Sequence, residues 1–322
     1  MLAGLPSRSD HQSARLRVGP DGKLYYTVGD QGANQFAYRC DPNWAQRLPT
    51  TREVRARDWQ SYEGKTLRLN PDGSIPSDNP VLKGVRSHIF TYGHRNPQGM
   101  DFAPNGLLYQ AEQGPRTDDE INLVRRGSNY GWPYVAGLRD DKAYTYGNWS
   151  RSAPTPCADL TYDDLTVPPS VPQQKETDWK GTFVAPISTL GTSAGDDVDF
   201  RDPKCAEGGR YYICYPTIAP SSLSYYPAKR GGIPGWSDSL LVTTLKDGSV
   251  YRLKLTNNGR RIATTEKLWA SQNRYRDTAF SPDGRTVFVA TDSAGLVRDP
   301  NGAPTSLLAN PGSILAFRAG SR

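Results

Sequence analysis

The segment His94-Arg95-Asn96-Pro97-Gln98-Gly99, followed by Gln113-Gly114-Pro115, concentrates polar chemistry that a hydrophobic core would not hold. Arg95 offers a rigid fork of donors to carboxylate or carbonyl oxygens. Asn96, Gln98 and Gln113 offer both donors and acceptors. Gly114-Pro115 forms no regular ladder and leaves carbonyl oxygens open to a hard cation. Together these residues describe a polar pocket for a flat, oxygen-rich anion and a metal. Residue by residue, an ordinary polar loop reads the same way.

Three further groups could do chemistry. Asp10-His11-Gln12 precedes a strand-like run that returns to Gly29-Asp30-Gln31-Gly32, so a strand pair would bring His11 and Asp30 to one end of a sheet. A carboxylate that orients an imidazole makes a general base, and the chain has only 3 His; an exposed loop His is the plain alternative. Asp119 and Glu120 follow Gly114-Pro115 closely and suit calcium, as do Asp140, Asp141 and Glu176 elsewhere; a solvated acidic turn would look alike. Arg274 and Arg276 are two apart and share a face if extended, a clamp for adjacent carboxylates to which Lys246 would add a third cation.

The elements that must position these groups read as strands and turns. The chain has 322 residues with 31 Gly, 26 Pro and 18 Tyr but 2 Met, and little helical periodicity. Val18-Gly-Pro-Asp-Gly-Lys-Leu-Tyr-Tyr26 is echoed by Phe102-Ala-Pro-Asn-Gly-Leu-Leu-Tyr109 and Phe280-Ser-Pro-Asp-Gly-Arg-Thr-Val-Phe288. Each reads as strand, Pro-Asx-Gly turn, strand. Their spacing approximates multiples of about 40–45 residues, the length of a four-stranded propeller blade. Gly64, Gly248 and Gly312 each lead into an alternating strand of a second recurring type. One all-β domain is expected over residues 1–322, with a long insertion loop at about 138–200 rich in aromatics, Asp and Pro.

The net charge of +6 comes from scattered basic residues, without the stripe or reader motif of nucleic-acid binding. No apolar run approaches the roughly 18 residues of a membrane-spanning helix, and a soluble chain is expected. Cys205 and Cys214 flank a Gly-rich stretch and suit a hairpin-closing disulfide, with buried free thiols as the alternative; the pairing of Cys40 and Cys157 is open. A disulfide points to an oxidising compartment, whereas residues 1–6 show no charged or apolar region of a secretory leader.

These motifs, with Asn129-Tyr-Gly-Trp-Pro133, occur in an order that closely resembles the soluble quinoprotein glucose dehydrogenases, from about residue 8 to 318. The resemblance implies a six-bladed β-propeller of four-stranded antiparallel sheets that oxidises an aldose at C1 with pyrroloquinoline quinone (PQQ) and Ca2+. It assigns proton abstraction to His11, oriented by Asp30, with Arg95 assisting at the quinone carbonyl. It places PQQ against Asn96, Gln98, Gln113, Thr217, Lys246, Arg274 and Arg276, calcium on the carbonyls of Gly114 and Pro115, and the sugar near Asp10, Gln35, Tyr212 and Tyr215. Asp119, Glu120 and Tyr130 match one additional calcium site, and Ala136, Asp140 and Glu176 another, both supporting a homodimer. An external electron acceptor and a periplasmic or secreted location are implied as well.

Two departures stand out. Tyr215 occupies a position that is Trp in close relatives, giving less aromatic surface to a sugar. The chain also begins just before the His11 strand, so the resemblance implies that one to two blades and a leader, on the order of a hundred residues, precede it. The competing expectations are a calcium-dependent propeller lactonase or hydrolase, which would not need the Lys246, Arg274 and Arg276 clamp, and an inactive fragment of the dehydrogenase.

Overall fold

The Pro-Asx-Gly tracts fold into closely similar turns in the computed structural model, which describes residues 2–193, 198–227 and 232–319. Gly19 N–H donates to Lys23 O at 2.8 Å and Gly22 N–H to Gly19 O at 2.9 Å; Ala103 and Leu107, then Gly106 and Ala103, repeat the pattern at 2.9 Å each. At Ser281–Thr286 it recurs with one extra residue. Gly22 and Gly106 hold φ of 70° and 82°, a region an L side chain rarely adopts. The same turn closes Asn70–Ser74 and Asp299–Ala303, two tracts outside the strand-turn-strand pattern read from the sequence.

These turns join antiparallel strands: Ser13–Val18 to Leu24–Val28, Pro97–Phe102 to Leu108–Glu112, and Tyr275–Phe280 to Thr286–Thr291. The Gly-led runs Lys65–Leu69, Val250–Thr256 and Ile314–Arg318 each supply a third strand. The result is an all-β chain with few and short helices. It divides into two compact units, each discontinuous in sequence: residues up to Pro97 with Val124–Pro186, and Gln98–Leu123 with the residues from Ile187 onward.

In the first unit, Ser13–Val18, Leu24–Val28, Lys65–Leu69 and Ile89–Tyr92 lie in that order in a four-stranded sheet. Val28, Trp59, Tyr62, Leu67, Leu69 and Ile89 form its core. Lys65 is fully buried on the same strand, and its Nζ donates to the carbonyls of Trp44, Ala45 and Glu63 at 2.9, 2.9 and 2.6 Å. A buried cation is tolerated here because all three donors are satisfied. Burial nonetheless pulls Lys65 down to about 7 and pushes the carboxyl of Glu63 up to about 7.

The second unit holds a four-stranded sheet ordered Ser188–Leu190, Asp119–Val124, Leu108–Glu112, Pro97–Phe102, and another ordered Pro220–Tyr225, Ser239–Thr244, Val250–Thr256, Arg261–Leu268. Tyr275–Phe280, Thr286–Thr291 and Ile314–Arg318 form a three-stranded sheet. Tyr109, Ala111, Ile121, Leu123, Leu223, Leu240, Val242 and Leu253 pack into one apolar cluster. Each four-stranded sheet has the size of a propeller blade.

The 138–200 stretch is mostly short turns, with Tyr146–Gly147 paired to Gln173–Gln174. Its later part is not loop, because Ser188–Leu190 pairs with Asp119–Ile121 as a sheet edge; residues 194–197 lie outside the described residues. Both cysteine pairs are disulfides, Cys40–Cys157 and Cys205–Cys214. The latter spans no hairpin: Cys205 ends a 3-10 turn and Cys214 a one-turn helix, and Gly208 and Gly209, at φ 65° each, reverse the chain between them.

Cys40–Cys157 closes a loop with a separation of 117 residues. Replacing both by Ser should lower the unfolding free energy by about 4–5 kcal/mol, the chain-entropy value for a loop of roughly that length. Coincident urea midpoints for parent and variant would contradict this. Glu63 keeps its proton to about pH 7 when folded but only to 4.5 when unfolded, so its stabilisation is full below the lower value and is lost as pH rises through the upper. The parent should therefore lose up to about 3 kcal/mol relative to Glu63→Gln between about pH 5 and pH 8. Urea titrations at the two pH values read this directly, and a gap that stays constant would refute it.

Candidate active site

Pairing of Ser13 with Val28 places the residues just before the first strand beside those just after the second. His11 Nδ1 lies 2.7 Å from Asp30 Oδ1. An ionised carboxylate only accepts, so Nδ1 carries the proton and Nε2 keeps its lone pair. Asp30 is fully buried, and its other bonds complete its shell: Gly32 N–H to Oδ1 at 3.0 Å, and Trp132 Nε1–H and Asn43 Nδ2–H to Oδ2 at 2.7 and 3.0 Å. Burial pushes this carboxyl up, but His11, through its charge when the ring is protonated and through its hydrogen bond, the charge of Arg95 and the Gly32 N–H outweigh it and hold the group below the usual carboxylate range.

Around the imidazole stand the other groups singled out from the sequence. Gln35 Nε2 lies 3.2 Å from both ring nitrogens, and its Oε1 accepts from Arg95 Nη2 at 3.4 Å. Asp10 Oδ1 accepts the His11 backbone N–H at 2.9 Å and lies 3.7 Å from Nε2. Asn96 Oδ1 accepts from Ser13 Oγ at 3.0 Å, and Asp30 N–H donates to Arg95 O at 2.8 Å, which ties the 94–96 segment to the same sheet end.

The backbone here is strained. His11, Ser13 and Ala14 hold φ of 43°, 60° and 66°, and Gln31, Asn34 and Phe36 hold 61°, 68° and 45°. Non-glycine residues in this region cost on the order of 1–3 kcal/mol each, and such outliers gather at functional sites. Gly29 permits the approach: a Cβ there would lie 1.8 Å from His11 O.

The second unit carries a separate cluster. Lys246 Nζ donates to Thr217 Oγ1 at 2.5 Å and Tyr212 O at 2.8 Å, and stands 5.9 Å from the Tyr215 ring centre. Tyr212 is half exposed, whereas Tyr215 is buried. Arg274 and Arg276 share one carboxylate, Asp292: Arg274 Nε reaches Oδ2 at 3.1 Å, and Arg276 grips both oxygens at 2.8 Å. Burial raises Asp292, but Arg276 and Arg274 together hold it below the ordinary range. The segment after it links both cation groups, since Arg274 Nη1 donates to Leu296 O at 2.5 Å and Arg298 N–H to Lys246 O at 3.0 Å.

Gly114 and Pro115 lie in the turn between Leu108–Glu112 and Asp119–Val124. Asp119 shapes it, accepting Gly114 N–H at 2.8 Å and the N–H groups of Ile218 and Ala219 at 2.5 and 2.9 Å; burial raises its carboxyl to about 6. A Cβ on Gly114 would meet Thr117 O at 2.3 Å and Asp118 O at 2.4 Å, so backbone oxygens crowd this position. Gln113 Nε2 donates to Pro220 O at 2.9 Å, and Gln98 sits on the strand Pro97–Phe102.

Neighbours on one strand, Asp119 and Glu120 point to opposite faces and do not converge, and Glu120 Oε2 accepts from Asn122 Nδ2 at 2.8 Å. Among the described residues, no three His, Cys, Asp or Glu side chains group so as to hold a metal ion. Ala136, Asp140 and Glu176 do come together: Glu176 accepts N–H groups from Ala136, Asp140 and Asp141 at 2.9, 3.3 and 2.9 Å. Tyr130 stacks on His94 with ring centres 4.7 Å apart, and its OH accepts Arg125 N–H at 2.8 Å.

Trp132, Asn43, Asp292 and Arg298 were not foreseen as site residues. Trp132 lies inside the Asn129–Pro133 motif, the one sequence signal that pointed toward it.

The model of the glucose/sorbosone dehydrogenase family matches residues 4–183 and 198–298. Quinoprotein glucose dehydrogenase B of Acinetobacter calcoaceticus is 51% identical over 98% of this chain and 66% of its own length. Aldose sugar dehydrogenase of Escherichia coli is 29% identical over 90% of this chain and 59% of its own. A solved oxidoreductase of Thermus thermophilus, described as a glucose dehydrogenase, superposes with a TM-score of 0.57 at 26% identity, covering 98% of this chain and 68% of that one. The chain thus spans about two thirds or less of the length of the curated relatives it matches. With a family match over most of its residues, the chain belongs to the glucose/sorbosone dehydrogenase family.

Proposed function

We propose that this chain carries the machinery of a quinoprotein sugar dehydrogenase that oxidises an aldose at C1 to its lactone. The hydrogen bond between His11 Nδ1 and the buried Asp30 carries this reading, because it leaves Nε2 as a base beside Gln35 and Arg95. Support also comes from the half-identical Acinetobacter relative, a quinoprotein glucose dehydrogenase.

The donor sets fit both expected groups. Lys246, Arg274, Arg276 and Arg298 outnumber the carboxylates they face, Asp119, Asp247 and Asp292, and so retain positive charge for a ligand with several carboxylates. Calcium would be held by carbonyls of the Gly114-Pro115 turn, against which the backbone oxygens of Thr117 and Asp118 also pack. When bound, PQQ with calcium supplies the electrophilic acceptor for the hydride that leaves C1. Nε2 of His11 takes the proton of the anomeric hydroxyl, and Asp30 stabilises the imidazolium that forms. Arg95 donates toward developing negative charge, and Asp10, Gln35, Tyr212 and Tyr215 contact the sugar. Thr217, Lys246, Arg274 and Arg276 would hold the cofactor, a role the reading also gives to Asn96, Gln98 and Gln113.

Calcium at Ala136, Asp140 and Glu176, which come together, would support a homodimer; Asp119 and Glu120, on opposite faces of one strand, do not form a second such set with Tyr130. The blade-sized sheets belong to a propeller, the two disulfides suit a periplasmic or secreted enzyme, and an external acceptor takes the electrons.

Dye reduction with glucose should depend on added PQQ and calcium; turnover without PQQ would defeat the reading. His11→Ala should lower turnover by about 10²–10⁴-fold while PQQ binding, read by absorbance titration, persists. Equal loss of both would remove His11 as the base. Arg276→Ala should weaken PQQ binding by about tenfold or more, and an unchanged titration would remove it from the cofactor site.

A further inference from the structure

Trp132 touches both charged groups of the His11 site. Its indole Nε1–H meets Asp30 Oδ2 at 2.7 Å, and the Arg95 guanidinium lies 5.3 Å from its ring centre. The residue is itself held at both ends: its N–H donates to Gly93 O at 3.0 Å, one residue before His94, and its carbonyl accepts Gln46 Nε2 at 2.7 Å. Its ring packs in a buried cluster with Ala45, Ala136, Tyr144 and Tyr146. The indole therefore has one well-defined setting.

A carboxylate turns about its Cβ–Cγ bond unless both oxygens are engaged. Oδ1 of Asp30 faces His11 and Gly32, while Oδ2 is held only by donors on Trp132 and Asn43 among the bonds described. The shorter of these two is the indole. The other property of the same ring, its electron-rich face, attracts a guanidinium.

We infer that Trp132 is a positioning residue that sets Asp30 with Oδ1 toward His11 Nδ1 and at the same time seats Arg95, so that base and guanidinium keep a fixed mutual register. This role deepens the dehydrogenase reading and rests on it. Trp132 touches neither the proton acceptor Nε2 nor a reacting atom; it acts through Asp30 and Arg95.

The test isolates the N–H of the indole and leaves its aromatic face in place. Trp132→Phe keeps an aromatic face for Arg95 and removes the N–H. Replacement of Trp132 by 3-benzothienylalanine keeps ring size and volume and removes only the N–H. Nitrogen-15 NMR of the apoprotein reads the imidazoles individually, since the chain has only 3 His. In both variants the hydrogen-bonded Nδ1–H signal of His11 should weaken or move, while His88, held by Tyr62 and Gly73, stays in place. In the loaded enzyme kcat should fall about 10–100-fold with KM for sugar little changed, the usual size of such an outer-shell loss.

An unchanged His11 signal in the benzothienyl variant would overturn the inference. So would equal movement of all three histidines, which marks a general structural change. If Trp132→Phe does not fold, the near-isosteric variant decides alone. A parent chain that shows no PQQ-dependent turnover defeats the dehydrogenase reading, and the apoprotein NMR then still decides whether Trp132 orients Asp30.

Discussion

The negative charge of Asp30 has no access to water, and much of the first unit is arranged around that fact. Removing a carboxylate from water costs several kcal/mol unless donors replace the lost hydration. Here they come from four places in the sequence: the imidazole of His11, the backbone at Gly32, the amide of Asn43 and the indole of Trp132. Satisfying one buried charge thus folds four separate segments against the end of a sheet. The unusual backbone at His11, Gln31 and Asn34 follows from the same demand, since ordinary extended chain would not bring those donors round.

Carboxylates play a comparable part in the second unit. Asp119 spends its oxygens on three backbone N–H groups and so fixes the turn that presents Gly114 and Pro115. Asp292 neutralises part of the charge of Arg274 and Arg276 while holding both side chains on one carboxylate. A pair of arginines two apart would otherwise repel and sample many rotamers. An internal anion of this kind keeps a cationic surface ordered in readiness for an external one.

Much of this was legible in the sequence, and the reasons are local. A Pro-Asx-Gly turn is encoded by the φ angles its residues can adopt, so the hairpins and their recurrence follow from the residue types. The His11 and Asp30 pair was visible because strand pairing carries flanking residues to one end of a sheet and histidine is rare in this chain. Trp132 and Asn43 were hidden for the opposite reason: a tryptophan reads as core filler, and nothing in its neighbours announces an indole aimed at a carboxylate 102 residues away. Asp292 was invisible because its partners lie across a hairpin, where spacing has no fixed period. The strand Ser188–Leu190 was lost within a loop-like region since three residues are too few to show alternation. Cys40 and Cys157 could be paired only by the fold, whereas Cys205 and Cys214 were near enough to suggest their bond, though not the helical turns that carry it.

The connectivity of the disulfides bears on how the chain is made. Both bonds join cysteines that are consecutive in the sequence, Cys40 to Cys157 and Cys205 to Cys214. Synthesis from the N-terminus presents these thiols in that order. An oxidant that pairs each new thiol with the one already waiting therefore reaches the native set directly, without thiol–disulfide exchange to correct it. The loop closed by the first bond contains Asp119–Ile121, whose sheet partner Ser188–Leu190 lies beyond it in the sequence. Reaching the native pairs accordingly calls for an oxidant more than for an isomerase.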